Sequence, residues 1–421
     1  MGCRVWFAPC TTLPLHHQIH PCTRQVYAFM VLLLAGVWLH IGYQQFVGGR
    51  QGAALALRRE GHLRCGAGAG EWIAEQVQAT LAPFRDKGGI TRAEVAEAGG
   101  LGAAVTVKIE GGRINRDEWP HAGDLEWFQD KLYALLVRAH ARYTLPDTTF
   151  VANLMDEPRV KVAAADWVYK QRFPDSMKTR HEAHGNLVPV FSVSNAPKLG
   201  YRDIEFPDVR FVHWGEDLEK LRRAKAKFNG GRARRQGLRD VCVWRGSTTG
   251  QHQPDQGLEE FGKGWRARFI KEAAKHRGTD ARFTSFAYGE VKEVKRAWKR
   301  HFGGKIPQED MLLKYRCVFD VDGNSYSQRL KFLLNANGVI VKQESPYTEF
   351  FTRFVLPWKH YVPMNPDSSG MGEALDYLQA YPEAAQGIAA NANCFVEQHL
   401  EMDHVLQYIQ QLLVEYNKLL S

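Results

Sequence analysis

At 421 residues the chain is too long for one ordinary hydrophobic core, so two domains behind an N-terminal leader are expected. Its 44% hydrophobic and 24% charged content is that of a globular protein. A net charge of +9 admits an anionic partner without choosing among nucleotides, nucleic acid and lipid headgroups, and equally describes a basic surface with no special partner.

The leader comes first in chain order. Val26 to Val47 (VYAFMVLLLAGVWLHIGYQQFV) contains no Asp, Glu, Lys or Arg. As a helix it would reach roughly 33 Å, enough to cross a bilayer core. Arginines flank it on both sides (Arg4 and Arg24 before, Arg50, Arg58 and Arg59 after), so the positive-inside rule gives no clean orientation. A cleaved signal peptide competes, because GAALA follows the apolar run. The run is longer than a usual signal core, which favours an uncleaved anchor. Residues 1–25 then form a short tail, 26–47 a signal-anchor and 48–70 a Gly/Ala-rich stem.

From about Glu71 the composition becomes globular. An amphipathic helix is expected from near Asp124, with Leu125, Phe128, Leu132, Leu135 and Leu136 on one face. DTTFVANLMDEP after Pro146 reads as a strand cut short by Pro158, and NLVPVFSVS and VRFVHW as two further buried strands. KLRRAKAKFNGGRARRQGLRD, residues 220–240, is the most basic stretch, with a soft spot at Asn229, Gly230 and Gly231. It matches no nucleic-acid-binding motif, so a solvated connection between domains is favoured and no nucleic-acid partner is expected.

In the second half VCVWRG reads as a strand, GWRARFIKEAAKH as a helix and YRCVFDVDG as a strand. SYSQRLKFLLNAN follows as a helix closed by Gly338, then VIVKQ as a strand. This βαβ order is the grammar of a parallel doubly wound α/β sheet. CFVEQHLEMDHVLQYIQQLLVEYNKLL reads as one final helix. Four cysteines follow the leader (Cys65, Cys242, Cys317, Cys394), without zinc spacing, as two disulfides or four thiols.

FDVDGNSYSQRL, residues 319–330, poses the functional question. Asp320 and Asp322 share a strand face, but no third metal ligand is apparent, and Asp322 before Gly323 suits a turn. Ser325 with Gln328 fits a capping box that would start a helix. Arg329 would then lie near the positive end of that helix, where an anion, a diphosphate above all, turns a mildly unfavourable charge into a favourable one. The competing reading has Arg329 reaching solvent or Asp322. HEAHG at 181–185 is no zincin, since His181 and His184 are three residues apart rather than four.

The stretch from FDVDGNSYSQRLKFLLNANGVIVKQESPYTEFF to LPWKHYVPM resembles the C-terminal half of the glycosyltransferase family 90 domain. VWRGSTTG at 243–250, NLMDEP at 153–158 and PVFSVSN…YRDIEFPD at 189–208 resemble further family blocks in the same order. The resemblance runs from about Pro83 to the C-terminus. It implies a GT-B fold, two Rossmann-like domains facing a cleft, with residues 71–225 as the acceptor and base domain and 226–394 as the UDP-sugar domain. Residues 395–421 would then form a helix packing back across both. It further implies inverting transfer of xylose or glucose from a UDP-sugar to a hydroxyl of a glycan or protein, a glycan being the first expectation and a protein Ser/Thr the second. Asp156 would be the catalytic base. Ser247, Arg266, Asn324, Ser325, Tyr326, Ser327, Gln328 and Arg329 would bind the donor. Arg268 is the alternative to Arg266, Arg245 a brace, and Glu349 either a sugar ligand or a structural acid. No metal or other cofactor would be obligatory, with Mn²⁺ dependence the less favoured reading. With the anchor, the expected location is a single-pass type II protein of the Golgi or endoplasmic reticulum membrane, its catalytic part luminal. The rival from another class is a non-catalytic scaffold binding polyanions through residues 220–240.

Overall fold

The computed structural model describes residues 70–116, 119, 123–164, 185–230, 237–250, 257–287 and 289–421. All belong to one compact unit, Glu60–Ser421. The expected anchor and stem residues 26–69, His181 and His184, and residues 231–236 of the basic stretch lie outside the described residues. No described helix is long and apolar enough to cross a membrane.

Two five-stranded sheets organise the α/β chain. Before the first come helices α1 (Glu71–Asp86) and α2 (Arg92–Gly99), the latter opened by a capping box between Thr91 and Glu94. Its strands are β1 (Ala104–Glu110), β2 (Arg113–Asn115), β3 (Thr148–Asn153), β4 (Val190–Ser192) and β5 (Ile204–Glu205), in the order β2-β1-β3-β4-β5. β1 runs antiparallel to β2 and β3, whereas β3, β4 and β5 are parallel. Helix α3 (Glu126–Tyr143) joins β2 to β3 and buries Leu132, Leu135 and Leu136, the face its periodicity predicts. Helix α4 (Trp214–Gly230) follows β5 and runs through Asn229.

The second sheet is entirely parallel. Its strands are β6 (Arg239–Ser247), β7 (Thr279–Ser285), β8 (Tyr315–Asp320), β9 (Val339–Gln343) and β10 (Val362–Met364), in the order β10-β9-β8-β6-β7. The connections are α5 (Leu258–Lys263) and α6 (Trp265–Ala273), then α7 (Lys292–Ala297) and α8 (Gln308–Lys314), then the single turn α9 (Leu330–Leu333). From β6 the chain moves outward to β7, then returns to place β8 on the other side of β6. Strand order therefore reverses between β6 and β8, and in open parallel sheets the crevice beyond the carboxyl ends of such a pair is where ligands bind. Cys242 and Cys317 face each other in register on these strands and form a disulfide, with Cα atoms 4.5 Å apart.

Three expected elements differ. VRFVHW is not a strand: Val209–His213 is a 3-10 helix, because the Asp208 carboxylate accepts from Arg210 N at 2.9 Å and caps the turn. SYSQRLKFLLNAN forms helix only over Leu330–Leu333. The Ser325 and Gln328 side chains that would cap its start bond to Asp156 instead, while Leu330, Leu333 and Leu334 are buried as expected. The expected final helix is two, α11 (Pro382–His399) after α10 (Met371–Ala380), and α12 (Met402–Asn417). The break falls at Leu400, a buried residue whose carbonyl accepts from the Trp214 indole. α12 packs on α1 and α3, with Tyr408 stacked on Trp72 and donating to Glu205 O at 2.7 Å.

Candidate active site

β3, the central strand of the first sheet, ends at Asn153, whose side chain builds the turn that follows. Oδ1 accepts from Met155 N at 3.0 Å while Nδ2 donates to Glu157 O at 2.8 Å and Ser192 Oγ at 3.1 Å. Beyond Pro158 the buried Asp203 accepts from Arg159 N at 2.8 Å, Val160 N at 2.9 Å and Ser192 Oγ at 2.6 Å. The turn carrying Asp156 is thus fixed on both flanks by buried polar groups.

Asp156 itself is gripped from two directions. Its carbonyl oxygen accepts from Ser194 Oγ and Ser325 Oγ, each at 2.6 Å, and its carboxylate Oδ1 accepts from Gln328 Nε2 at 3.1 Å. Ser194 comes from the first sheet's loops, Ser325 and Gln328 from the turn after β8. Burial pushes the Asp156 carboxyl up to about 6; Glu157 and Asp208 add to the rise, while Arg210 and the Gln328 hydrogen bond oppose it.

Beneath it lies a charge cluster that the sequence alone did not single out. Asp208 is buried, and burial works against its charge. Lys331 at 3.6 Å, Arg210 at 3.1 Å and the Tyr326 hydroxyl donating at 3.0 Å outweigh that and hold it below the usual carboxylate range. The Arg210 guanidinium lies over the Trp127 and Phe128 rings, 5.7 and 5.1 Å from their centroids. Glu349 is also buried; burial, with Asp208 and Asp320 nearby, pushes its carboxyl well above the usual range. Glu349 thus lies among the buried charged groups of this cluster. The available sequence signal was Pro207-Asp208 ahead of an apolar run. Its long-range partners, however, come from residues 326 and 331.

The strand-order reversal is built from four segments. β6 ends at Ser247, whose carbonyl accepts from Arg266 Nη1 at 2.9 Å and whose hydroxyl lies 3.4 Å from Thr249 Oγ1. Arg266, on α6, also donates from Nε to Asp322 O at 2.7 Å and to the Thr249 hydroxyl, so it ties the end of β6 to the end of β8. Asn324 Oδ1 accepts from Gly250 N at 2.9 Å. Arg329 donates from Nη1 to Arg245 O at 2.6 Å, and its buried Nη2 has no hydrogen-bond partner among the described residues. Arg266 and Arg329 share one indole, lying 5.3 and 5.5 Å from the Trp244 ring centroid. Two guanidiniums thus lie against one ring, and the Arg329 Nη2 donor is left without a partner among the described residues, as is the Ser327 hydroxyl on the same turn. Arg268 lies elsewhere, facing the charge of Asp367, and Arg245 braces β6 through Asp280 at 2.6 Å.

The two strand-end aspartates are occupied differently. Asp320 Oδ2 accepts from Lys342 Nζ at 2.9 Å. Asp322, buried, is pushed up to about 6 by that burial, and its carbonyl oxygen receives the Arg266 guanidinium. Among the described residues no group of three or more His, Cys, Asp or Glu is arranged to hold a metal.

Gly250 is fixed by sterics. Its φ is +72°, and a Cβ there would fall 2.0 Å from the Trp265 ring and 2.1 Å from Gly323 O. Gly250→Ala is expected to cost about 2–4 kcal/mol from left-handed strain and overpacking combined, read from urea unfolding.

The family model for Glycosyl transferase family 90 matches residues 71–421. The chain is 34% identical over 131 residues to human Protein O-glucosyltransferase 1, covering 30% of this chain and 33% of that protein. It is 24% identical over 321 residues to human Protein O-glucosyltransferase 3, covering 75% of this chain and 55% of that protein. The chain thus spans about a third to a half of the length of these relatives. Among solved structures it is similar to Anabaena HepE in complex with UDP-glucose, at TM-score 0.30 and 14% identity over 48% of this chain and 53% of that one. The UDP-forming trehalose-phosphate synthase of Burkholderia vietnamiensis gives TM-score 0.31 and 13% identity over 56% and 54%. Likenesses this distant carry no functional weight.

Proposed function

Because the chain belongs to glycosyl transferase family 90, we propose that it is an inverting, UDP-sugar-dependent transferase of GT-B architecture, with Asp156 as general base. The observation that carries this reading is the hydrogen-bonded contact between Asp156, at the end of β3, and the turn 324–329 beyond the end of β8. It brings a carboxylate raised to about 6 together with the segment that holds Arg329. A base in that range is charged at neutral pH, yet basic enough to accept a proton from a hydroxyl whose acidity rises as its oxygen attacks.

In the reaction the acceptor oxygen attacks the anomeric carbon and gives its proton to Asp156. The bond from that carbon to the β-phosphate oxygen breaks, and UDP departs with the electron pair. Charge then accumulates on the diphosphate, where Arg266 and Arg329 stabilise it as fixed cations. The backbone around Ser247 and Asn324 and the hydroxyl of Ser327 complete the donor contacts. The two guanidiniums offset most of that charge, so a metal is not expected to be obligatory.

The names of the relatives favour glucose as the sugar and a protein hydroxyl as the acceptor. Xylose and a glycan acceptor are the alternatives. With residues 26–47 as anchor, the catalytic part faces the lumen of the endoplasmic reticulum or Golgi. The test is UDP release from a panel of UDP-glucose, UDP-xylose and UDP-galactose, with Asp156→Asn in parallel. Release from at least one sugar, lost in Asp156→Asn with UDP binding retained, supports the reading. A folded protein that turns over none of them returns the non-catalytic scaffold.

A further inference from the structure

Turn 324–329 divides its side chains between two tasks. Arg329 faces the ends of β6 and β8, where it meets Arg245 O and Trp244. Ser325 and Gln328 turn the other way and hold Asp156. We infer that Ser325 and Gln328 are positioning residues of the catalytic base, not ligands of the sugar donor. The inference rests on Asp156 being the base.

The geometry separates two arms. Ser325, buried, donates to the Asp156 carbonyl at 2.6 Å opposite Ser194, which donates to the same oxygen at 2.6 Å. A carbonyl held between two hydroxyls from different parts of the chain fixes where the backbone of Asp156 sits. Gln328 acts on the carboxylate. Its amide N–H donates to Oδ1, which sets the side-chain rotation and leaves Oδ2 as the oxygen that receives the acceptor's proton. An amide in this place orients a carboxylate without competing as a base, where a Glu would repel it and a Lys would over-stabilise its charge. Tyr326, between the two, donates to Asp208 at 3.0 Å, and Asp208 holds Arg210. The charged groups facing Asp156 are therefore Arg210, Glu157 and Asp208, with Gln328 the hydrogen-bond donor among them. Anchors at residues 325, 326 and 328 thus join the turn that carries Arg329 to Asp156 and to the Asp208 cluster beside it.

The two arms make different predictions. Gln328→Ala removes a donor from the charged carboxylate. The expected result is a kcat lower by about 10–100-fold, with the acid limb of kcat/KM for UDP-glucose raised by about half to one pH unit. UDP affinity should stay within about twofold. Ser325→Ala should lower kcat with the acid limb unmoved, because it acts on backbone position alone.

An activity-independent readout accompanies this. The stability difference between a protein and its Asp156→Asn derivative changes with pH at the Asp156 pKa. Measured by urea unfolding from pH 4 to 8, its inflection should move upward in the Gln328→Ala background and stay in place in Ser325→Ala. An inflection that stays put in Gln328→Ala, with UDP affinity weakened tenfold or more, overturns the assignment and makes Gln328 a donor ligand. An unmoved inflection with unchanged UDP affinity overturns it as well, leaving Gln328 a packing residue. Turnover surviving in Asp156→Asn would instead remove the base reading itself, an outcome distinct from either.

Discussion

Asp156→Asn is expected to lose about 10²–10⁴-fold in kcat while becoming more stable than wild type above pH 6. The two effects share a cause. Burial, with Glu157 and Asp208 beside it, raises the Asp156 carboxyl from 3.8 to about 6 in the folded chain. Between those values the folded state binds more protons than the unfolded one, so stability falls as pH rises through the folded pKa. The protonated carboxyl's advantage is complete below about pH 4 and gone above about pH 6. A shift from 3.8 to about 6 corresponds to about 3 kcal/mol at most, which a neutral Asn recovers at pH 7–8. Asn also keeps an Oδ1 that accepts from Gln328, so the variant retains the turn. Other raised acids, Glu205 at about 7 and Asp322 at about 6, titrate in both proteins and cancel in the comparison. Paired unfolding curves at pH 4 and pH 8 check this. A variant that is equally destabilised at both pH values would mean that Asp156 is a structural acid.

Lys342→Met is the second large effect, with an expected loss of about 3–5 kcal/mol at pH 7. Lys342 Nζ lies 2.9 Å from Asp320 Oδ2, and its charge also opposes the rise of the Asp322 carboxyl. Asp320 and Asp322 are 0% and 2% exposed, so neither can exchange the ammonium for water. Removing the cation alone leaves the buried Asp320 without its ion-pair partner and weakens the compensation of Asp322, which costs more than the ion pair itself contributes. The double change Asp320→Asn with Lys342→Met should therefore be less destabilised than the two single losses added together. Denaturant unfolding of the three variants measures this. A Lys342→Met protein as stable as wild type would show that the Asp-Val-Asp segment does not depend on this ammonium.

How far the sequence discloses such arrangements depends on how local they are. β3, β6, β8 and β9 were legible because each is a short β-branched run bounded by a turn or proline. So was the path from β8 through a buried Leu face to β9. The single helix from residue 394 was not, because its break is made by a remote contact, the Trp214 indole on Leu400 O. The capping box failed similarly: Ser325 and Gln328 carry the right spacing, yet both side chains have a better partner in Asp156, more than 160 positions away in the chain. Asp156 was singled out through resemblance and Arg329 first through its place in the turn after a strand, whereas Asp208, Arg210 and Lys331 were missed. Those three acquire meaning only once the 3-10 turn after Asp208 and the turn after β8 are in contact. Sequence spacing carries capping and alternation; it carries charge pairing across the fold poorly.

The most direct test of the central claim is the unfolding of the chain with and without excess UDP, in wild type and Arg329→Ala, each with and without EDTA. At about 100 times its dissociation constant UDP should add roughly 2.7 kcal/mol to wild type. The gain should be insensitive to EDTA and absent from Arg329→Ala. A folded wild-type protein with no gain, or one that gains only with a divalent metal, would contradict a donor site built from Arg266 and Arg329 between β6 and β8.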